Sequence, residues 1–297
     1  MWFVLGWLVA LQLTAAPPSE QQLLRLAEEA EAFGRVAPEI IGQEQMEQIL
    51  LLPPPRYVER GQRPMPKFRT RRLVSEYGFS IFKDDGNLHE LRQVLQVDGK
   101  QVKKPGALRQ TLSMGMKGEA DRLKKKLLKD FEGYGLPQAA TDFGQMILLF
   151  TKRQIPNYNF DIRQVQYQGA DQMQVVFYEQ KDEDSTAMTV FEGKRVVRHR
   201  LQGEVWLRVR DGMPLKVTMQ AARIDEKKKI ELKHLAAVEY IVSAYGALVP
   251  ASVTYNESIG GVTVMESRSQ YTQFKKFGAA SELKFTVEEE EPEPKKK

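Results

Sequence analysis

The chain has 297 residues, 42% of them hydrophobic and 28% charged, which is enough for one large core and excludes a polytopic helical membrane protein. Its 44 basic and 39 acidic residues leave a formal charge of +5 with the signs interspersed, so nucleic acid is not expected as a partner, and a place near anionic lipid or another acidic surface accounts for the mild basic charge equally well. Cysteine is absent, which excludes disulfides, thiol catalysis, cysteine-ligated zinc, iron–sulfur clusters and a lipoprotein anchored through an acylated cysteine.

Residues 1–16 run from an apolar stretch, Met1 to Leu13, into Thr14-Ala15-Ala16. The stretch is too short to cross about 30 Å of hydrocarbon as a helix. Small residues at its end suit a cleavage site, so a signal peptide is expected, placing the protein in the periplasm or cell envelope. An uncleaved N-terminal anchor is the alternative, because no Lys or Arg precedes the run and Pro17 follows it.

Segment 17–72 reads as N-terminal helices and a Pro-rich loop. Ser19 can cap a helix in which Leu23, Leu26, Ala27, Ala30 and Phe33 recur at helical spacing. A second amphipathic set, Ile40, Ile41, Met46, Ile49 and Leu50, ends at Pro53-Pro54-Pro55, and the stretch to Arg72 reads as loop.

Segment 73–280 changes period. Val74, Tyr77, Phe79, Ile81 and Phe82 predict a strand, Asp85-Gly86-Asn87 a turn, and Leu88 to Val97 another strand, with Asp98-Gly99 a hairpin signal. Leu123, Leu127 and Phe131 then stack at helical spacing until Gly133-Tyr-Gly135-Leu-Pro137. A second, largely buried helix is expected from Ala139 to Gln154. Beyond it strands are expected at Phe160–Gln168, Gln172–Gln180, Ala187–Arg198, Gly203–Arg210, Leu215–Ala222, Ile230–Ser243, Leu248–Glu257 and Val262–Phe274. The tail 281–297 is acidic, then basic, and should be disordered. The fold class expected is α+β: a large curved antiparallel sheet, a half-open β-barrel, with helices packed on one face.

No catalytic motif supports an enzyme, and no cofactor is implied: Gly-x-Ser-x-Gly, the P-loop and Gly-x-Gly-x-x-Gly are all missing. His89, His199 and His234 lack metal-ligand spacing, and Asp182-Glu183-Asp184 and Asp84-Asp85-Gly86-Asn87 suit turns better than calcium loops. Lys124, Lys125 and Lys129 line up opposite Leu123, Leu127 and Phe131, a face that either docks on anionic lipid or is the solvated back of a core helix.

The run Gly203-Glu-Val-Trp-Leu-Arg-Val-Arg-Asp211-Gly-Met-Pro-Leu-Lys216, followed by Val238-Glu-Tyr240, Leu248-Val-Pro250 and Tyr271-Thr-Gln-Phe274, resembles the lipoprotein-carrier-like (LolA/LolB-like) superfamily. Ala37-Pro-Glu-Ile and Ala140-Thr-Asp-Phe-Gly144 also resemble uncharacterised secreted acidobacterial-type proteins. The resemblance implies an apolar cavity for acyl chains under helices. Trp206, Tyr240, Tyr255 and Phe274 are its candidate lining, and a lipid or acylated protein its partner. The competing expectation is an envelope interaction module, docking another envelope protein through an exposed patch or sheet edge.

Overall fold

The computed structural model describes residues 17–55, 65–82, 86–113, 118–136, 142–182, 189–192, 195–198, 200–225 and 229–276. The expected signal peptide, the 281–297 tail, His199, Glu183-Asp184 and Asp84-Asp85 lie outside the described residues.

Helix α1 (Glu20–Val36) starts at the expected cap: Ser19 and Gln22 exchange side-chain-to-backbone hydrogen bonds in a capping box. Leu26, Ala27, Ala30 and Phe33 form its buried stripe. The next segment departs from expectation. Residues Ile40–Leu51 are strand β1, not a helix. Burial alternates along it, but the core-facing positions include Gly42, Glu44 and Gln48, so polar residues in core phase hide the period of two. Strand β2 (Phe68–Ile81) likewise starts inside the stretch expected to be loop.

Strands β3 (Leu88–Val97) and β4 (Lys100–Gln101) meet at Asp98-Gly99, both with positive φ, as a two-residue hairpin turn requires. Helices α2 (Ala107–Ser113) and α3 (Gly118–Tyr134) follow, α3 closing at the predicted Gly133–Pro137 stretch. The helix expected over Ala139–Gln154 is absent from its described part: residues 142–157 form turns and two short 3-10 segments, Met146–Phe150 and Ile155–Asn157. The burial expected there is present: Met146, Ile147, Leu149 and Phe150 are all in the core. An apolar run without polar positions carries no period to separate a helix from a compact buried turn.

The remaining strands are β5 (Tyr158–Gln168), β6 (Asp171–Gln180), β7 (Thr189–Glu192), β8 (Arg195–Arg198), β9 (Gln202–Arg208), β10 (Pro214–Asp225), β11 (Ile230–Val242), β12 (Leu248–Ile259) and β13 (Val262–Lys276). Within the single strand expected over Ala187–Arg198, the described residues form two strands, β7 and β8, paired antiparallel. Eleven strands form one open sheet in the order β4-β3-β2-β1-β13-β12-β11-β10-β9-β6-β5, and every pairing is antiparallel. The chain is therefore α+β with a large open antiparallel sheet, as its alternation predicts. One face of that sheet supplies Tyr77, Val176, Val205, Val217, Val238 and Val253 to the main core, which α1 and segment 143–150 cover. Near one margin α2 and α3 pack against β3, with Leu108, Leu112 and Leu127 around Leu91, and Phe131 beside Val94.

Candidate functional site

Segment 142–150 is a plug pressed into the sheet, and polar groups fix it there. The Tyr240 hydroxyl accepts from the Ile147 amide at 3.0 Å and donates to the Gly144 carbonyl at 3.1 Å. Beside it lies a buried ionic cluster. Arg92 donates to Glu44 at 2.8 Å and Glu90 at 2.6 Å, and reaches Asp142 at 3.2 Å. Its guanidinium lies between the rings of Tyr77 and Phe131, 5.2 and 4.9 Å from their centroids. Glu90 also accepts from the Gln145 amide at 3.2 Å, so the cluster ties β1, β2, β3 and α3 to the plug. Burial pushes the Glu90 carboxyl up to about 8 even though Arg92 draws it down. Gly144 is needed here: a Cβ on it would collide with the Tyr77 hydroxyl and press on Glu90.

These acidic and basic residues were missed in the sequence, although a signal existed. Glu90 and Arg92 sit in phase with Val94 on a strand, and buried charges at core positions are paired.

The four residues expected to line a cavity go to three places. Tyr240 and Tyr255 are buried in the core, Tyr240 on the plug and Tyr255 stacked on Phe143 at 4.9 Å, with its hydroxyl 2.8 Å from Nδ1 of His234. Trp206 is on the opposite face from Val205 and Leu207, half-buried, with Lys216 4.7 Å over its ring and its indole N–H donated to Glu204. Phe274 alone reaches an open apolar cleft.

That cleft, about 370 Å³, lies where β11, its hairpin to β12, and β13 meet. Val249 and Tyr271 form its inner wall, Phe274 one side, and Ile241, Val242 and Tyr245 a solvent-exposed rim. Two irregularities shape it. The β11–β12 register shifts between Glu239 and Tyr240. The β1–β13 register shifts at Gly42, where Gln273 takes a φ of 57°, a left-handed conformation costly for a residue with a side chain. The shift seats Phe274 against Gly42.

The lysine face is split. Lys125 and Lys129 are exposed, but Lys124 is 1% exposed: its ammonium donates to the Ile81 carbonyl at 3.2 Å and lies over the Phe82 ring. Its long stem lets it cross from the polar face to cap β2. His89 on β3 stacks on Phe82, and four strands separate β3 from β11, which carries His234, so these two histidines do not converge.

No family model matches the chain, and no curated protein matches it. Two solved structures resemble it. One is a LolA superfamily protein from Nitrosomonas europaea, 11% identical over 88% of this chain and 94% of that one, with a TM-score of 0.32. The other is a DUF1329 family protein from Desulfovibrio piger, 9% identical over the same shares, with a TM-score of 0.37.

Proposed function

We propose that this is an exported envelope protein that binds one apolar chain, of a lipid or an acylated protein, in the Phe274 cleft. The observation that carries the reading is the rim: Ile241 and Val242 remain 50% and 45% exposed beside a partly buried apolar wall. Leaving such side chains in water has no stabilising value for the free protein, and an apolar ligand would cover them. A volume of about 370 Å³ falls at the small end of ligand pockets. Gln273, held in a strained backbone, aims its neighbour at the site.

The reading also takes residues 1–16 as the export signal, 17–72 as an N-terminal segment, 73–280 as the carrier-like domain and 281–297 as a solvated tail, in keeping with the resemblance to secreted acidobacterial-type proteins. Lys125 and Lys129 are its contacts with anionic headgroups, each contributing about 1 kcal/mol near such a surface. Lys124 is spent on β2 and takes no part.

The test is binding of a fluorescent fatty acid to protein purified without detergent, comparing wild type with Val242→Asp and Phe274→Asp. Saturable uptake by wild type, lost in both variants while their melting temperatures hold, supports the cleft. Equal uptake by all three proteins, or none by wild type, overturns it.

A further inference from the structure

The two margins of the sheet are built differently. At one, the outermost strand β4 has two residues, and helices α2 and α3 pack against its neighbour β3. Short edge strands and covering helices are how sheets prevent edge-to-edge association. At the other margin, β5 is eleven residues long and, among the described residues, pairs only with β6. Its last five residues, Gln164-Val-Gln-Tyr-Gln168, contain no charge, no proline and no lysine, in a chain that is 28% charged. Val165 and Tyr167 on one face of that stretch are 50% and 76% exposed.

We propose that this edge pairs with a second copy of the same chain, antiparallel, about a two-fold axis at Gln166. The sequence is complementary to itself under that operation. Val165 of each copy falls opposite Tyr167 of the other, a β-branched–aromatic cross-strand pair on the face where both are otherwise exposed. Gln164 meets Gln168, and Gln166 meets itself. No like charges face one another. The two-fold pairing uses residues 164–168 of each copy; the rest of β5 runs past the partner's hairpin turn and is set off by the register shift at Arg163, and the opposite margin ends in the two-residue β4, so assembly stops at a dimer instead of growing into a fibre. The cleft stays open in such a dimer, since β10, β9 and β6 separate β11 from β5.

Because the chain has no cysteine, one introduced thiol reports the register. Opposed residues of an antiparallel pair lie about 4.5–5.5 Å apart at Cα, within disulfide reach. The full chain carrying Gln166→Cys should form a covalent dimer on mild oxidation, and Asn159→Cys on the same strand should not. In sedimentation equilibrium the wild type should fit a monomer–dimer model. Val165→Lys/Tyr167→Lys, which places cations across the axis, should weaken the dimer at least tenfold without lowering the melting temperature. A wild type that stays monomeric at all concentrations overturns the proposal. So do association that continues past two, equal cross-linking at both cysteine positions, or a dimer unaffected by the lysines.

Discussion

The ring of Phe274 occupies the space that a side chain on Gly42 would need: a Cβ at that position would lie 2.7 Å from Cδ1 and 2.8 Å from Cε1 of the ring. A strand glycine thus fixes an aromatic wall of the cleft from the neighbouring strand. Gly42→Ala is expected to push the ring outward rather than break the sheet, because the two closest atoms belong to a side chain and the Thr272 carbonyl, at 3.1 Å, needs to give by only a few tenths of an ångström. The expected cost is about 1 kcal/mol, the low end for overpacking. Fatty-acid affinity should change at least tenfold. Parallel urea titrations and probe titrations check this, and an unchanged affinity would show that the ring position does not matter to the site.

Tyr240 is buried in an apolar surround and serves both the Ile147 amide and the Gly144 carbonyl. Tyr240→Phe keeps the ring and leaves both backbone groups without that partner. The expected loss is about 1–3 kcal/mol for each group left unsatisfied. Hydrogen exchange should show it locally, as faster exchange at Ile147 than at amides in the middle of β11. Uniform acceleration across the protein would mean that the plug is not a separate opening unit.

How much was legible in the sequence follows from what each side chain does. Strands with apolar residues in one phase, such as β10 with Val217, Met219 and Ala221, announced themselves. β1 did not, since Glu44 and Gln48 stand in its core phase and bond to partners far along the chain, Arg92 and the Leu136 amide. The plug failed for the reverse reason: Met-Ile-Leu-Leu-Phe is apolar throughout and reads equally as helix. Of the cavity lining, aromatic identity was visible but direction was not, because a one-residue register shift decides whether a ring faces the core or its opposite side. Phe274 reaches the cleft through a bulge, and no local pattern encodes that.

Arg92 holds two fully buried carboxylates. Removing it takes the counter-charge from Glu44 and a hydrogen-bond donor from Glu90, which holds its proton below about pH 8, so Arg92→Met should cost about 3–5 kcal/mol. A triple change, Arg92→Met with Glu44→Leu and Glu90→Leu, should recover much of that loss, because it removes the desolvated charges as well. Chemical denaturation of the two variants measures the difference. A triple variant less stable than Arg92→Met would mean that the carboxylates stabilise the plug through other partners.

Gly203 on β9 lies tightly against β10. A Cβ there would overlap the Thr218 carbonyl and press on Tyr178, whose hydroxyl donates to that same carbonyl at 2.8 Å. Backbone cannot move aside as a side-chain end can, so Gly203→Ala should cost more than Gly42→Ala, about 3 kcal/mol at the upper end for overpacking. Comparable urea midpoints for the two variants would show that β9 shifts freely against β10.

Glu90 gives the protein a pH dependence whose sign can be worked out. Its folded value, about 8, stands above the ordinary 4.5. Between those values the folded state keeps a proton that the unfolded state has released, so stability falls as pH rises through that window. Above about pH 8 Glu90 is ionised in both states and the loss is complete. Glu29, also raised by burial, adds a slope of the same sign, so the comparison must be with a variant rather than with a flat line. Glu90→Gln should therefore gain stability relative to wild type on going from pH 5 to pH 8.5. Urea midpoints at the two pH values give the answer. Parallel curves for the two proteins would mean that Arg92 keeps Glu90 ionised throughout, and that the cluster locks the plug independently of pH.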